Sequence, residues 1–505
     1  MLRKVVHKIA MRSFLKRTTN IQKWLNQPLK YQEIILKELL YKARNTHIGK
    51  IYGFNEIKNY DSFKERVPLF EYENLLPYFD KITSQQNNIL WNSKIQWFAK
   101  SSGTTDAKSK YIPVSIESLT ENHFKGGRDL LTFYFNANPK SKFFEGRLLA
   151  LGGTLMPHPK NSCFICGDVS AILMKNMPDL ARFSAALSQK TALMANWEEK
   201  IESMIKETAK LNVTALLGVP TWTLVLIRKL FECYPQASQN LHKIWPNLEV
   251  FIHGAVNFEP YQAEFNRIIP SDNMYYWQTY NASEGFFAVQ MEGNTKDMAL
   301  LVNHGIFYEF LDPKKNTVCA LNEVELNKPY ILIITTNAGL WRYNLGDVIH
   351  FTSRNPYKIK VIGRSKLYIN AFGEELMIHN TDTAIKIACE KTNAILKDYT
   401  AAPVYFTHHQ AGRHQWFVEF VRKPNDTDAF VKILDQTLKS LNSDYEAKRY
   451  KNMTIQEPEL IILPEGTFDN WLKKHNKLGG QHKIPRLNND RKFVEQLLEF
   501  MELSK

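Results

Sequence analysis

Three kinds of phosphate-holding group are concentrated in SSGTTDAKSK, Ser101 to Lys110: hydroxyls on Ser101, Ser102, Thr104 and Thr105, backbone N–H groups freed by Gly103, and ammonium groups on Lys108 and Lys110. The spacing is not that of a Walker loop, which needs G-x-x-x-x-G-K-[ST]. Taken alone, the segment reads equally well as a polar turn between two strands. YNASEG, Tyr280 to Gly285, follows an aromatic strand and sets one carboxylate, Glu284, in a small-residue turn. Magnesium bridging nucleotide oxygens takes one or two protein carboxylates plus phosphate oxygens, so Glu284 is a candidate metal ligand; helix capping is the plainer alternative. In LWRYNLGDV, Asp347 follows a glycine where it can accept hydrogen bonds from ribose hydroxyls, or serve as an ordinary hairpin residue. GRSK places Arg364 and Lys366 where the chain passes into its last unit.

The elements that must position these groups alternate in type. Apolar Ile34, Ile35, Leu39 and Leu40 recur at helical spacing from Tyr31 to about Ala43, so the N-terminal fifth reads as helical scaffold. Short apolar runs at 147–153, 212–220, 248–256 and 274–285 each end in small residues and lead towards a helix, the pattern of an α/β sheet, in which ligands collect at the strands' carboxyl ends. Between Phe307 and Gly363 strands alternate with turns, which predicts a more antiparallel region. A last unit of about 140 residues reads as helix (381–397), strand (401–408), strand (414–421), helix (426–441) and a basic tail. At 505 residues, two folding units are expected.

Composition narrows the function classes. The chain is 44% hydrophobic and 23% charged, an ordinary globular mixture. Its formal charge of +14 is spread in short mixed runs, with no arginine-rich arm and no aromatic RNA-binding signature, which speaks against a nucleic-acid partner and for anionic substrates. Five scattered cysteines fit a reducing cytoplasm. Cys163 and Cys166 form a lone CxxC without the second pair that structural zinc needs; two buried or half-buried thiols are expected, with a redox pair as the rival. The basic segment 1–19 has no continuous apolar stretch and is expected to be a surface helix packing through Val5, Ile9, Phe14 and Leu15. No apolar run approaches the roughly 20 residues that span a bilayer, so no membrane partner is expected.

These segments, in this order, resemble the adenylate-forming superfamily, and more narrowly the Gretchen-Hagen-3 family of acyl acid amido synthetases. The resemblance spans nearly the whole chain and takes in VPLFEYENLLPYFDKI (67–82), GVPTW (218–222) and LPEGTFDNWLKKHNKLGGQHKIPRL (463–487). It implies an α/β fold: a large N-terminal domain, 1–366, with α/β sheets and an antiparallel barrel-like part, and a smaller mobile α+β domain, 367–505. It also implies an ATP- and Mg²⁺-dependent ligase that makes an acyl-AMP from a small carboxylic acid and passes the acyl group to an amine or amino acid.

By that resemblance Ser101, Ser102, Gly103, Thr104 and Thr105 would fold over the ATP phosphates with Lys110 closing the motif. Gly254 and Ala255 would line adenine and acyl group, Tyr280 would stack near adenine with Ser283 beside it, and Glu284 would hold Mg²⁺. Asp347 would bind ribose with Arg364 nearby, and Lys366 would be the hinge. Independently of the resemblance, Val219 and Trp222 are candidates to shape the acyl pocket, and Arg128, on the helix after the loop, is a candidate to pair the acid's carboxylate. Lys483 in GQHKIPR would be the catalytic lysine; its alternative is a solvated basic tail with Lys473, Lys474, Lys477 and Arg486. A cation reaching both oxygens lowers the barrier when a carboxylate attacks the α-phosphate, because two anions are brought together.

Two departures stand out. Asp106 and Ala107 occupy the usual glycine positions after the hydroxyl cluster, and Asn344 replaces the second arginine of R-Y-R while Arg342 is kept. Thioester formation with coenzyme A and a non-catalytic nucleotide-binding relative are the rival readings. The acid, the amine and the oligomeric state are not legible.

Overall fold

The structure is a computed structural model that describes residues 2–104, 107–293, 295–364, 368–406, 410–475 and 484–502; the side chains of 102–104, 107, 108, 364 and 502 lie outside that description. The N-terminal helices are amphipathic scaffold, as their spacing predicts, but in a shifted register. Helix Pro28–Ala43 starts on a proline, which needs no N–H at that position, and buries Gln32, Ile35, Leu36, Leu39, Leu40 and Ala43. That i, i+3, i+4 stripe leaves Ile34 outside it, 39% exposed. Gln32 then bonds the sheet, donating from Nε2 to Val302 O and Ile306 O and accepting from Tyr308 N–H. In helix Leu2–Lys16 the buried face is His7, Ala10 and Phe14; the expected contacts Val5 and Ile9 are exposed instead.

One eleven-stranded sheet carries most of the molecule. Its parallel half runs Arg147–Ala150, Val213–Gly218, Val250–His253, Tyr275–Ala282. Helices Trp197–Thr208, Pro220–Cys233 and Glu259–Ile268 make the crossovers. Val250–His253 is buried throughout, as a strand covered on both faces must be. Beyond Tyr275–Ala282 the same sheet continues antiparallel through Gly285–Val289, Met298–Leu300, Tyr357–Arg364, Tyr343–Arg354, Pro329–Thr336, Ile306–Asp312 and Thr317–Cys319. The antiparallel region is therefore an open extension of the main sheet and not the barrel-like part expected. Tyr343–Arg354 alternates buried and half-buried residues over most of its length, the signature of a strand with one wet face.

A second, four-stranded sheet holds the hydroxyl-rich segment as a hairpin, Trp97–Thr104 against Ala107–Val114, flanked by Asn161–Gly167 and Leu155–His158. Cys163 and Cys166 lie three residues apart on strand Asn161–Gly167, so they point to opposite faces, one exposed and one buried. That placement removes the redox-pair reading.

The C-terminal unit packs strands Ile395–Val404, Arg413–Arg422 and Glu459–Leu463 with helices Ile378–Lys391 and Thr427–Leu441. The first helix and strand begin earlier than the sequence pattern predicts. Element boundaries are weak in sequence because fraying ends carry little periodicity. Apolar packing is continuous across the junction: Val256, Phe258 and Tyr261 share a core with Ile369, Phe372, Phe406 and Trp416. Among the described residues no helix is long and apolar enough to cross a membrane.

Arg342 fastens scaffold to sheet. It is almost fully buried, adopts φ of 40°, and forks onto Glu309 through Nε and Nη2 at 2.9 Å. Its Nη1 donates to Lys64 O and Val67 O, while Tyr60 Oη donates to Glu309. Removing the cation strands a buried carboxylate. Arg342→Met is expected to destabilise the protein by about 3–5 kcal/mol in denaturant unfolding, and a loss under 1 kcal/mol would contradict this role.

Candidate active site

A cleft of about 1120 Å³ opens where the carboxyl ends of the parallel strands, the hydroxyl-rich hairpin and the C-terminal unit meet. Its position follows from topology, because small-residue turns at the strand ends leave room outside the sheet. Ligand pockets usually span about 300–1,000 Å³, which puts this cleft at the upper end of that range.

Tyr280 and Asp347 stand at its wall. Tyr280 Oη donates to Asp347 Oδ2 at 2.6 Å, both side chains being more than nine-tenths buried. The two residues come from different halves of the sheet, and Asp347 pairs across the ladder with Arg364. Ser283 Oγ donates to Lys100 O at 3.3 Å, tying the YNASEG turn to the hairpin strand. Glu284, Ser283, Ser101 and Lys100 line the same cleft. The Glu284 carboxylate is a hard oxygen donor of the kind that Mg²⁺ takes together with phosphate oxygens, and its place in the lining fits such an ion. Among the described residues no group of three or more His, Cys, Asp or Glu side chains could hold a metal ion.

The two small residues of the HGAV turn are placed differently. A Cβ on Gly254 would lie 2.8 Å from Thr279 O and 2.7 Å from its Oγ1, so this glycine is required by the neighbouring strand. Ala255, at φ of 71°, is the one of the pair that lines the cleft. His253 lines it too: burial pushes its imidazole down to about 3, so the ring is neutral, and it stacks on Phe258 at 3.9 Å.

Val219 and Trp222 line the apolar end, where Trp222 stacks on Trp197 at 4.0 Å and 7°. Lys200 Nζ donates to Gly152 O and Gly153 O beneath that stack, and burial lowers its ammonium to about 8. The stack explains why Trp222 alone was legible: its partner Trp197 begins a helix with no motif around it.

Other expected residues fall elsewhere. Arg128 is exposed on helix Phe124–Ala137 and does not line the cleft, so the geometry gives it no carboxylate to pair there. Lys110 sits opposite Ser101 in the hairpin, with Nζ 5.4 Å from the Tyr72 ring centre, and is outside the lining. Arg342 and Asn344 belong to the scaffold; Asn344 Nδ2 donates to Glu71. Ser102, Gly103 and Thr104 are placed by backbone in the hairpin strand. Thr105, Lys366 and Lys483 lie outside the described residues.

Sequence reading passed over Asp168, Glu375, Asp444 and Lys448, all of which line the cleft. Asp444 and Lys448 are four apart on helix Ser443–Arg449, which is one face of a helix, but the helix is too short to announce itself by periodicity. That helix is held by a buried fork from Arg449 to Asp435 and by Asn442, whose side chain caps Asp444 N and Tyr445 N.

With this geometry in hand, the similarities to known proteins are consistent along the chain. Residues 17–274 match the GH3 family N-terminal domain, 299–364 its central domain and 379–492 its C-terminal domain. The indole-3-acetic acid-amido synthetase GH3.4 of Arabidopsis thaliana is 23% identical, with 92% of this chain and 90% of that protein covered. The jasmonoyl–L-amino acid synthetase JAR6 of Nicotiana attenuata is 24% identical, with 90% of each covered. The solved structure of the GH3.15 acyl acid amido synthetase superposes with a TM-score of 0.62 at 17% identity, covering 95% of both chains, which establishes a shared fold. With its N-terminal match alone spanning half its length, the chain belongs to the GH3 family.

Proposed function

We propose that this protein is an ATP-dependent ligase that activates a small carboxylic acid as an acyl-AMP and joins it to an amine, with an amino acid as the acceptor. The observation that carries the reading is the buried Tyr280–Asp347 hydrogen bond in a cleft walled by the hydroxyl-rich hairpin on one side and the C-terminal unit on another. Support also comes from family membership and from amide-forming relatives that act, by their names, on indole-3-acetic acid and on a jasmonoyl group.

In this reading Asp347 accepts from ribose hydroxyls, and the Tyr280 hydroxyl fixes its orientation while the phenol edge borders adenine. The Ser101 to Thr105 hydroxyls hold phosphate oxygens, Ala255 presents backbone to the purine, and Val219 and Trp222 wall the acyl group. Mg²⁺, held by Glu284, would neutralise phosphate charge. Lys483 brings the cation that in-line attack at the α-phosphate requires, and Lys366 is the hinge between an adenylating domain, 1–366, and a lid, 367–505. A lysine from the chain's end suits that role because its charge is needed only while two anions meet. The five free cysteines accord with a reducing compartment, the cytoplasm.

ATP–pyrophosphate exchange over a panel of indole-3-acetate, jasmonate and benzoates is expected to depend on the acid; exchange with none would remove the adenylation reading. Lys483→Ala is expected to slow exchange by roughly 10²–10³-fold with an unchanged melting temperature, and an unaltered rate would sink the assignment. Asp347→Ala is expected to raise KM for ATP roughly ten-fold, about 1–2 kcal/mol, because it removes a charged acceptor. The comparison of amino acids with coenzyme A as acyl acceptors separates amide from thioester formation.

A further inference from the structure

At the apolar end of the cleft the turn Leu151–Thr154 is held from both sides. Its N–H groups meet the start of helix Val169–Lys175: Gly153 N–H donates to Ser170 Oγ at 3.1 Å and Thr154 N–H to Asp168 Oδ2 at 3.3 Å. Its carbonyls converge on one cation, since Lys200 Nζ donates to Gly152 O at 2.7 Å and to Gly153 O at 3.0 Å. An anion at the N–H end and a cation at the C=O end complement the peptide dipoles, and charge-assisted bonds of this kind are roughly twice as strong as neutral ones. A Cβ on Gly153 would collide with the Asp168 carboxylate, so the turn has no slack on that side. The same ammonium lies 4.6 Å from the Trp197 ring centre, and Trp197 stacks on Trp222 at 4.0 Å. One almost fully buried cation therefore touches the turn and the stack together, and both of these line the cleft.

We propose that Lys200 is a positioning residue for the acid: its ammonium locks the turn 151–154 to the Trp197–Trp222 stack and so fixes the wall against which the acyl group lies. The assignment rests on the adenylation reading above, in which Val219 and Trp222 wall that group. Lys200 is not part of the cleft lining, so it acts through its neighbours and not on the substrate. Burial pushes its ammonium down to about 8, against the pull of Asp168 from across the turn. Helix Pro220–Cys233 faces it with the uncharged Trp222. Helix Ser443–Arg449 adds Lys448, 5.3 Å from the Trp222 ring centre, and Asp444, whose carboxyl burial pushes up to about 7. On its own helix Glu198 pairs with Lys451, and Glu199 accepts from Asn196. The lock is therefore charged below about pH 8 and loses its charge as the pH rises through that value. A neutral amine keeps two N–H groups but neither the charge assistance nor the attraction to the indole.

In pyrophosphate exchange by the native protein, with the acid that gives the fastest rate, KM for the acid is expected to rise roughly ten-fold from about pH 7 to about pH 9 while KM for ATP changes less than about two-fold. Lys200→Met, which keeps the side chain long and removes its charge, is expected to show the high KM at both pH values with kcat little changed, the pattern of lost ground-state binding. The Asp444 carboxyl titrates in both proteins and cancels in that comparison. Circular dichroism of the stacked indole pair, isolated by subtracting the spectrum of Trp197→Phe, is expected to change through about pH 8 and needs no turnover. A KM for the acid that stays flat over this range in the native protein, a flat dichroism signal, an equal rise in KM for ATP, or a native KM and pH profile in Lys200→Met would each overturn the assignment while leaving adenylation standing. If Lys200→Met does not fold, the two native profiles decide alone. Exchange with no acid of the panel, alongside a dichroism transition at about pH 8, would overturn adenylation and with it the acid as the guest of this wall.

Discussion

Strand Tyr275–Ala282 has to satisfy two neighbours of opposite direction, Val250–His253 in parallel and Gly285–Val289 in antiparallel. The two ladders present different hydrogen-bond spacings, so such a strand is a fixed seam in the sheet. The cleft lies at its carboxyl end, where Tyr280 reaches the antiparallel half at Asp347. Gly254 is confined to glycine by the same strand, through Thr279. Displacing the seam by one residue would turn Tyr280 to the opposite face and break the bond between the halves.

The hydroxyl-rich segment, the YNASEG turn and Asp347, which border one cleft, stand out in the sequence because each concentrates unusual residue types in a few positions. The parallel strands were legible because full burial writes an unbroken apolar run, as in VFIH at 250–253. What could not be read is whatever depends on partners distant in sequence. Arg342 is the clearest case: it stands inside a recognisable motif, yet its guanidinium turns away to Glu309, 33 residues upstream. Arg128 failed for the complementary reason, since an exposed helical arginine carries no mark of which cleft it faces. The barrel-like expectation failed because alternation reports a strand's faces and says nothing of whether the sheet closes.

Electrostatics are unevenly divided. The chain carries a net charge of +14, whereas the cleft is lined by Asp168, Glu259, Glu284, Asp347, Glu375, Asp444 and Asp490 against Lys100, Lys296, Lys360 and Lys448.

The continuous core of Val256, Phe258 and Tyr261 with Ile369, Phe372 and Phe406 bears on modularity. Tyr261 Oη also donates to Ala371 O, and Thr221 Oγ1 to Phe372 O. Apolar surface released to water costs about 25 cal/mol per Å², so excising the last unit would leave an adhesive patch on the larger one. The two portions are therefore poor candidates for exchange as independent cassettes between related enzymes. A chimera joined near residue 366 would need both sides of that core to come from the same parent.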